Sequence, residues 1–303
     1  MSEPLTFAWL QSRALIAIGG PDWRGFLQGL ITQDVETLSP SEARFGALLT
    51  PQGRLLYDLF VVGRQEGCWL DVLAEHRAAI IQRLTMYRLR AKVSIEADET
   101  AVSILFSPLP LAGRGWGGGA GSDSPALTPP LPTLSPQGGE GFVRDPRLPD
   151  LGWRGYGAGP PPGVQIADEA VRDAAKLSLG VPGPADWGSD ATYPIEANFD
   201  LLNGIDFAKG CFVGQETTSR MKRRGQVKSR MLPIAFEGPV PAAGAEVLAG
   251  ELRAGVVTSA GEGRAMVLVR LDRALGQSLS VDGRPVILER PAWFSSALGE
   301  EAA

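Results

Sequence analysis

Residues 209–216 read Lys-Gly-Cys-Phe-Val-Gly-Gln-Glu, and they hold one of only two cysteines in 303 residues. Lys209 carries a positive charge near the thiol of Cys211, and Gly210 opens backbone conformations closed to other residues. The run that follows, GQETTSRMKR, has the pattern of a helix start, with Glu216 in the favourable first turn. A neighbouring cation or a helix N-terminus favours the thiolate, the form that attacks and that binds metals. The other reading is a small buried hydrophobe, the usual fate of a free cysteine.

Downstream of the motif lies RMKRRGQVKSR, with six basic residues in eleven and no acid: Arg220, Lys222, Arg223, Arg224, Lys228 and Arg230. Clustered guanidinium and ammonium groups bind phosphates or carboxylates, or else form a solvated helix face. No aromatic stacking platform accompanies them, so direct nucleic-acid binding is not expected. From residue 231 the chain changes to short apolar runs separated by Gly-rich turns: RMLPIAFEG, AEVLAGEL, RAGVVTSAG, RAMVLVRL and RPVILER. Such spacing indicates a small antiparallel barrel or sandwich over 231–303, with a domain boundary near residue 230.

Upstream, residues 1–230 read as mixed α/β. RALIAIGG is a strand ending in a glycine turn, and Asp22 is placed to cap a helix over WRGFLQGLI. ARFGALLTPQGRLLYDLFVVG reads as two strands around a Thr-Pro-Gln-Gly turn. CWLDVLA is a strand, followed by a helix from about Glu75 to Tyr87. KVSIEAD and TAVSILFS complete the unit. Residues 107–141 are dominated by Gly, Pro and Ser, with Trp116 the only aromatic, and read as a flexible insert or a Pro-rich ligand. FVRDPRLPDLGWRGY then reads as a turn-rich loop carrying Arg147, Trp153 and Arg154, and a helix follows from near Ala167.

The whole composition removes several function classes. The net charge of −5 gives no global field for nucleic acid or an acidic membrane. No window reaches the length of a membrane span, and MSEPLTFAWLQSR lacks the basic start and apolar run of a secretory signal. Two cysteines make no disulfide framework, which indicates a reducing compartment and makes the cytoplasm the expectation. The single histidine, His76, leaves no His-rich metal site, and two cysteines cannot supply the four thiolates of a usual iron–sulfur site. No metal is therefore expected to be held by this chain alone.

KGCFVGQE followed by a basic segment resembles the signature of the YgfZ family, folate-binding proteins similar to the T-protein of the glycine cleavage system that act in iron–sulfur cluster assembly or repair. FLQGLITQDV, LLTPQGRLLYDLFVV, YRLRAKV and DPRLPDLGWRG look like family blocks in family order. The resemblance covers most of the chain outside 107–141 and is weakest in the C-terminal strands.

The resemblance implies an α+β, T-protein-like fold: folate-binding α/β subdomains followed by a C-terminal antiparallel β-barrel. It implies a tetrahydrofolate-type ligand in a central cavity. Asp58 matches the second acid of the Asp-Asp pair that T-proteins use against folate, where a carboxylate can bond pterin or amine nitrogens. A strand-end carboxylate satisfied by backbone amides is the alternative. Tyr57 replaces the first acid. Lys176, Ser178 and Gly180 stand where T-proteins carry Arg-x-Glu-x-Gly, so one pterin anchor is missing, which argues against aminomethyl transfer but not against folate binding.

Cys211, Lys209 and Asp58 are thus the candidate reactive residues. Asp58, Tyr57, Lys176, Gln215, Glu216, Arg220 and Arg223 are the candidate folate contacts. The expected partners are iron–sulfur assembly proteins such as an A-type carrier, and client [4Fe–4S] enzymes such as radical enzymes that modify tRNA. A folate-dependent aminomethyl or methyl transferase and a non-catalytic folate-binding module are the alternatives.

Overall fold

A computed structural model describes residues 5–107, 141–223 and 227–297. The expected insert (apart from its two end residues) and Arg224 lie outside the described residues. The chain forms two compact units. The first takes Met1–Leu49, Tyr57–Arg172 and Leu202–Val213, and the second takes Thr50–Leu56, Asp173–Leu201 and Gly214–Ala303. The unit that holds the barrel is therefore wider than 231–303.

The first unit is built on β1 (Thr6–Trp9), β2 (Arg13–Gly19), α1 (Trp23–Gln28), β3 (Ala43–Leu49), β4 (Leu55–Arg64), β5 (Gly67–Leu73), α2 (Arg77–Arg88), β6 (Ser94–Asp98), β7 (Val102–Phe106), β8 (Gly141–Arg144), β9 (Trp153–Tyr156) and β10 (Gln165–Ile166). One five-stranded sheet runs β3-β4-β5-β2-β6, and the other runs β10-β1-β7-β9-β8. In the former, alternate residues such as Ile16 and Ile18, Leu59 and Val61, and Leu70 and Val72 enter one core with Leu27 of α1 and Ile80 and Leu84 of α2. That is the period of two a half-buried strand requires.

Two local expectations are corrected. The helix after β2 stops at Gln28, and Asp22 makes no cap bond to it; the Asp22 carboxylate instead accepts the Lys92 amide at 2.7 Å. Ile31 leaves the helix to form a β-bridge with Leu48. The stretch expected as a loop at 142–156 is largely a hairpin. β8 and β9 pair antiparallel, Phe142 with Gly155 and Val143 with Arg154, around a single 3₁₀ turn at Pro149–Leu151.

The second unit contains the end of α3 (Glu169–Ser178), then α4 (Pro184–Trp187), α5 (Gln215–Arg223) and the strands β11 (Ser229–Phe236), β12 (Glu246–Ala249), β13 (Leu252–Ala260), β14 (Arg264–Arg270), β15 (Leu279–Val281) and β16 (Arg284–Leu288), with the short helices α6 (Leu271–Ala274) and α7 (Ala292–Ala297). The strands close into an antiparallel barrel in the order β11-β14-β13-β12-β15-β16, sealed where β11 pairs with β16. Leu232, Ile234, Val257, Val267 and Val281 fill its interior. Closure leaves no strand edge open.

Two residues past α3, Gly180 has a φ of +68°, in the left-handed region, and a Cβ there would collide with the rings of Pro233 and Pro291. At the turn before β4, Gly53 (φ +84°) lets the chain pass so closely that a Cβ would lie 2.9 Å from the Gly214 carbonyl oxygen.

Candidate functional site

Cys211 is exposed, and the chain on both sides of it is fastened. The Asp206 carboxylate accepts the amides of Ala208 (2.7 Å) and Lys209 (3.1 Å), folding the chain into a tight turn. Lys209 then reaches inward and its Nζ donates to the carbonyls of Gln28 (2.7 Å), Ile31 (2.7 Å) and Gln33 (2.9 Å). The first of these is the last residue of α1, so the ammonium satisfies a carbonyl that the helix end leaves open. Phe212 is buried with its ring 5.2 Å from Nζ, and the Val213 amide donates to the Gly29 carbonyl at 3.1 Å. A solvent-facing thiol thus sits between two buried anchors.

Lys209 was expected as a counter-charge for the thiol. Its ammonium is committed instead to three main-chain carbonyls. Burial pulls its pKa down to about 8 against the attraction of Asp34, Asp206 and Glu36, so it keeps its proton at neutral pH. The other cysteine, Cys68, lies in β5 with no exposed surface, and burial pushes its thiol well above the usual range. One cysteine is a core residue and the other is presented to solvent.

Asp58 lies within a buried set of charges. Its Oδ2 accepts Arg13 Nη1 at 3.1 Å. Arg13 also donates through Nε to Asp71 Oδ1 at 2.7 Å, and Arg154 and Tyr156 converge on Asp71 Oδ2 at 2.5 and 3.1 Å. Asp145 holds Arg147 at 2.7 Å and lies 3.7 Å from Arg154. The Phe60 ring lies under three guanidinium groups, nearest Arg154 at 3.8 Å. Three carboxylates therefore meet three guanidiniums, which is how charge survives burial. Burial would raise the pKa values of Asp71 and Asp145, but the arginines override it: Asp71 titrates below the usual range and Asp145 at about 2. Among the described residues, Asp58 Oδ1 has no hydrogen-bond partner.

Sequence reasoning missed Arg13, Asp71 and Asp145. The available signal was an ionisable residue set in apolar company, as Asp71 is in CWLDVLA. The remaining candidates are placed as follows. Tyr57 packs against His76 with the rings tilted 54° and their centroids 5.1 Å apart. Tyr57 and Asp58 belong to the first unit with Lys209 and Cys211, whereas Lys176, Gln215, Glu216, Arg220 and Arg223 belong to the second. Lys176 pairs with Asp173 at 3.2 Å, and Ser178 bonds back to the Ala174 carbonyl. In α5, Glu216 is taken by Arg220 one turn on, and Arg223 Nε donates to the Ser219 carbonyl at 3.3 Å. Among the described residues no three His, Cys, Asp or Glu side chains gather as a metal site, and no helix is long and apolar enough to cross a membrane.

The sheets and barrel define a class. The structure is similar to the crystal structure of glycine cleavage system aminomethyltransferase T from Bartonella henselae, with a TM-score of 0.74 over 97% of this chain and 87% of that one at 18% identity. Residues 228–296 match the model of the CAF17 C-terminal beta-barrel domain. The fold is thus that of the T-protein, ending in a CAF17-type barrel. Among curated proteins, the chain is 30% identical over 253 residues to the iron–sulfur cluster assembly factor IBA57, mitochondrial, of Homo sapiens, covering 78% of this chain and 67% of that protein. It is 30% identical to the mouse protein of the same name over 78% of this chain and 67% of that one, and 31% identical to an IBA57 homolog from Neurospora crassa over 77% of this chain. The match spans only 54% of the Neurospora protein. The chain belongs to the IBA57 family.

The cytoplasmic expectation is corrected by these relatives, which are mitochondrial proteins and point to mitochondria instead. A low cysteine count separates reducing from oxidising surroundings; it does not separate one reducing compartment from another.

Proposed function

We propose that this protein is an accessory factor for iron–sulfur cluster assembly that offers Cys211 as a single thiolate to a cluster carried by a partner. The observation that carries this is the exposed thiol held between the Lys209 clamp and the Val213 anchor. The names of the IBA57 relatives support it. The cluster is cargo: one thiolate supplies one iron ligand, and the other ligands come from a second chain. Within the family, the KGCFVGQE motif supports reading the chain as YgfZ-type. The partners in this reading are an A-type carrier and client [4Fe–4S] enzymes, including radical enzymes that modify tRNA, with the greatest demand under oxidative stress.

A tetrahydrofolate derivative is the proposed ligand of the T-protein-like fold. Asp58 fits it: one carboxylate oxygen is fixed by Arg13 and the other is left to accept an N–H of a pterin. Tyr57, one residue earlier in β4, packs on the opposite face against the Leu59–Val61 core and His76, so it does not share that contact. Within the second unit, Lys176, Gln215, Glu216, Arg220 and Arg223 are the proposed ligand contacts, with the basic side chains suited to carboxylates. Folate would supply a bound one-carbon carrier, while this chain's residues bind and orient it.

Complementation tests the proposal. In cells lacking the gene, wild type should restore a [4Fe–4S] enzyme under oxidative stress and Cys211→Ala should not. Full rescue by Cys211→Ala would remove the thiol from the mechanism. No rescue by well-expressed wild type would remove the assembly role.

A further inference from the structure

The C-terminal end of α2 carries a second feature, independent of Cys211. From Arg77 to Ser94 the chain has five basic residues and no acid, in a protein whose net charge is −5. Among the described residues, three of the nine exposed large apolar side chains fall within four positions here: Met86 (64% exposed), Tyr87 (38%) and Leu89 (88%). Arg88, Arg90 and Lys92 flank them, all exposed and none paired with a carboxylate among the described residues. The dipole of a helix C-terminus accounts for a cation or two near Arg88 but not for apolar side chains held in water beside them.

The segment is also rigidly held. Ile80 and Leu84 fix α2 to the core, and Val93 is buried on the far side of the turn. Between them, Asp22 takes the Lys92 amide at 2.7 Å, and the Ala91 amide bonds to the Arg88 carbonyl at 2.8 Å. Leu89 has φ +44°, a conformation that non-glycine residues rarely occupy. An apolar side chain kept almost fully exposed at a strained backbone position has no folding advantage, and such strain collects at functional surfaces.

We propose that this end of α2 docks an acidic protein surface that presents carboxylates around an apolar contact. Met, Tyr and Arg are the residue types enriched in protein interfaces, and the unpaired cations select an anionic counterpart. Nucleic acid is a poorer fit, because the one aromatic ring already stacks under Arg83 at 5.9 Å. A membrane surface is a poorer fit too, because an interfacial helix lays an apolar face along its length, whereas α2 buries Ile80 and Leu84 in the core and exposes large apolar side chains only in its last turn and just beyond. The inference does not rest on the cluster reading, and its test contains no cluster.

The test uses the full chain and four probes in low and moderate salt: a stapled helical peptide with glutamates beside a leucine stripe, the same peptide with serine for leucine, a single-stranded DNA oligomer, and phosphatidylserine vesicles. The leucine peptide should bind, and should do so more tightly than the other three. Leu89→Ser and the double variant Arg88→Glu, Arg90→Glu should each weaken it by about tenfold, the loss expected of a central interface contact. Both variants should keep the wild-type circular dichroism and Tm. Absence of peptide binding, equal binding by the variants, or tighter binding of the oligomer or the vesicles would overturn the proposal.

Discussion

Lys209 shows how one side chain can organise a site without touching chemistry. Lys209→Met would leave three carbonyls without their common donor, at least two of them buried. A destabilisation of roughly 3 kcal/mol is expected in chemical denaturation, since each buried unpaired group costs about 1–3 kcal/mol. Cys211→Ala, at an exposed position, should change stability by less than about 0.5 kcal/mol. Asp71 and Asp58 should separate just as clearly. Asp71→Ala removes the carboxylate that Arg13 and Arg154 share, leaving three buried guanidiniums against two carboxylates, and should cost about 3–5 kcal/mol, whereas Asp58→Asn leaves Arg13 its Asp71 partner and should cost about 1 kcal/mol. Equal losses at the two positions would contradict the arrangement seen here. At this scale the sequence singled out Cys211 by residue type but left open whether it is buried, and the structure exposes it. The sequence was silent where partners come from distant segments: nothing near Lys209 in sequence announces that Gln28, Ile31 and Gln33 are its acceptors.

Elements were legible where an alternating pattern ran uninterrupted, as in the barrel strands and in β2 and β5. They were misread where competing contacts decide the end. Trp23–Gln28 has helical periodicity through Ile31, but the pull of the Leu48 bridge takes Ile31 into a sheet-like position. The Pro and Gly residues of 146–152 looked like an irregular loop because they form a compact 3₁₀ turn between two short strands, β8 and β9, the second of which also pairs with β7 from a distant segment. Just past α3, Gly180 is both a positive-φ stop and a gap for two proline rings. Gly180→Ala should therefore destabilise by roughly 2 kcal/mol, combining backbone strain with overpacking. An unchanged Tm for that variant would contradict both contributions.

For the whole molecule, the buried carboxylates set the acid limit. Asp145 titrates at about 2 in the folded chain, because burial, which would raise it, is outweighed by Arg147 and Arg154. Unfolded, it returns to about 3.9. The unfolded state therefore binds the proton first as pH falls, so the stabilisation is complete above about pH 4 and is lost as pH drops toward 2. Asp34 and Asp71 are lowered in the same direction and should steepen the transition. A denaturation midpoint that stayed constant from pH 5 to pH 2.5 would be incompatible with this network. The barrel could be read from spacing because its strands follow one another along the chain. The two compact units could not, because each gathers three stretches far apart in sequence.

That interleaving bears on the order of synthesis. The first unit ends at Val213, so its Lys209 clamp is still inside the ribosome after every strand of both its sheets has emerged. During translation α1 must wait with its final carbonyl open until residues far downstream arrive to close it. The thiol at Cys211 therefore reaches its fixed position only when the first unit is complete, and a chain stalled before residue 209 would display the sheets without the site.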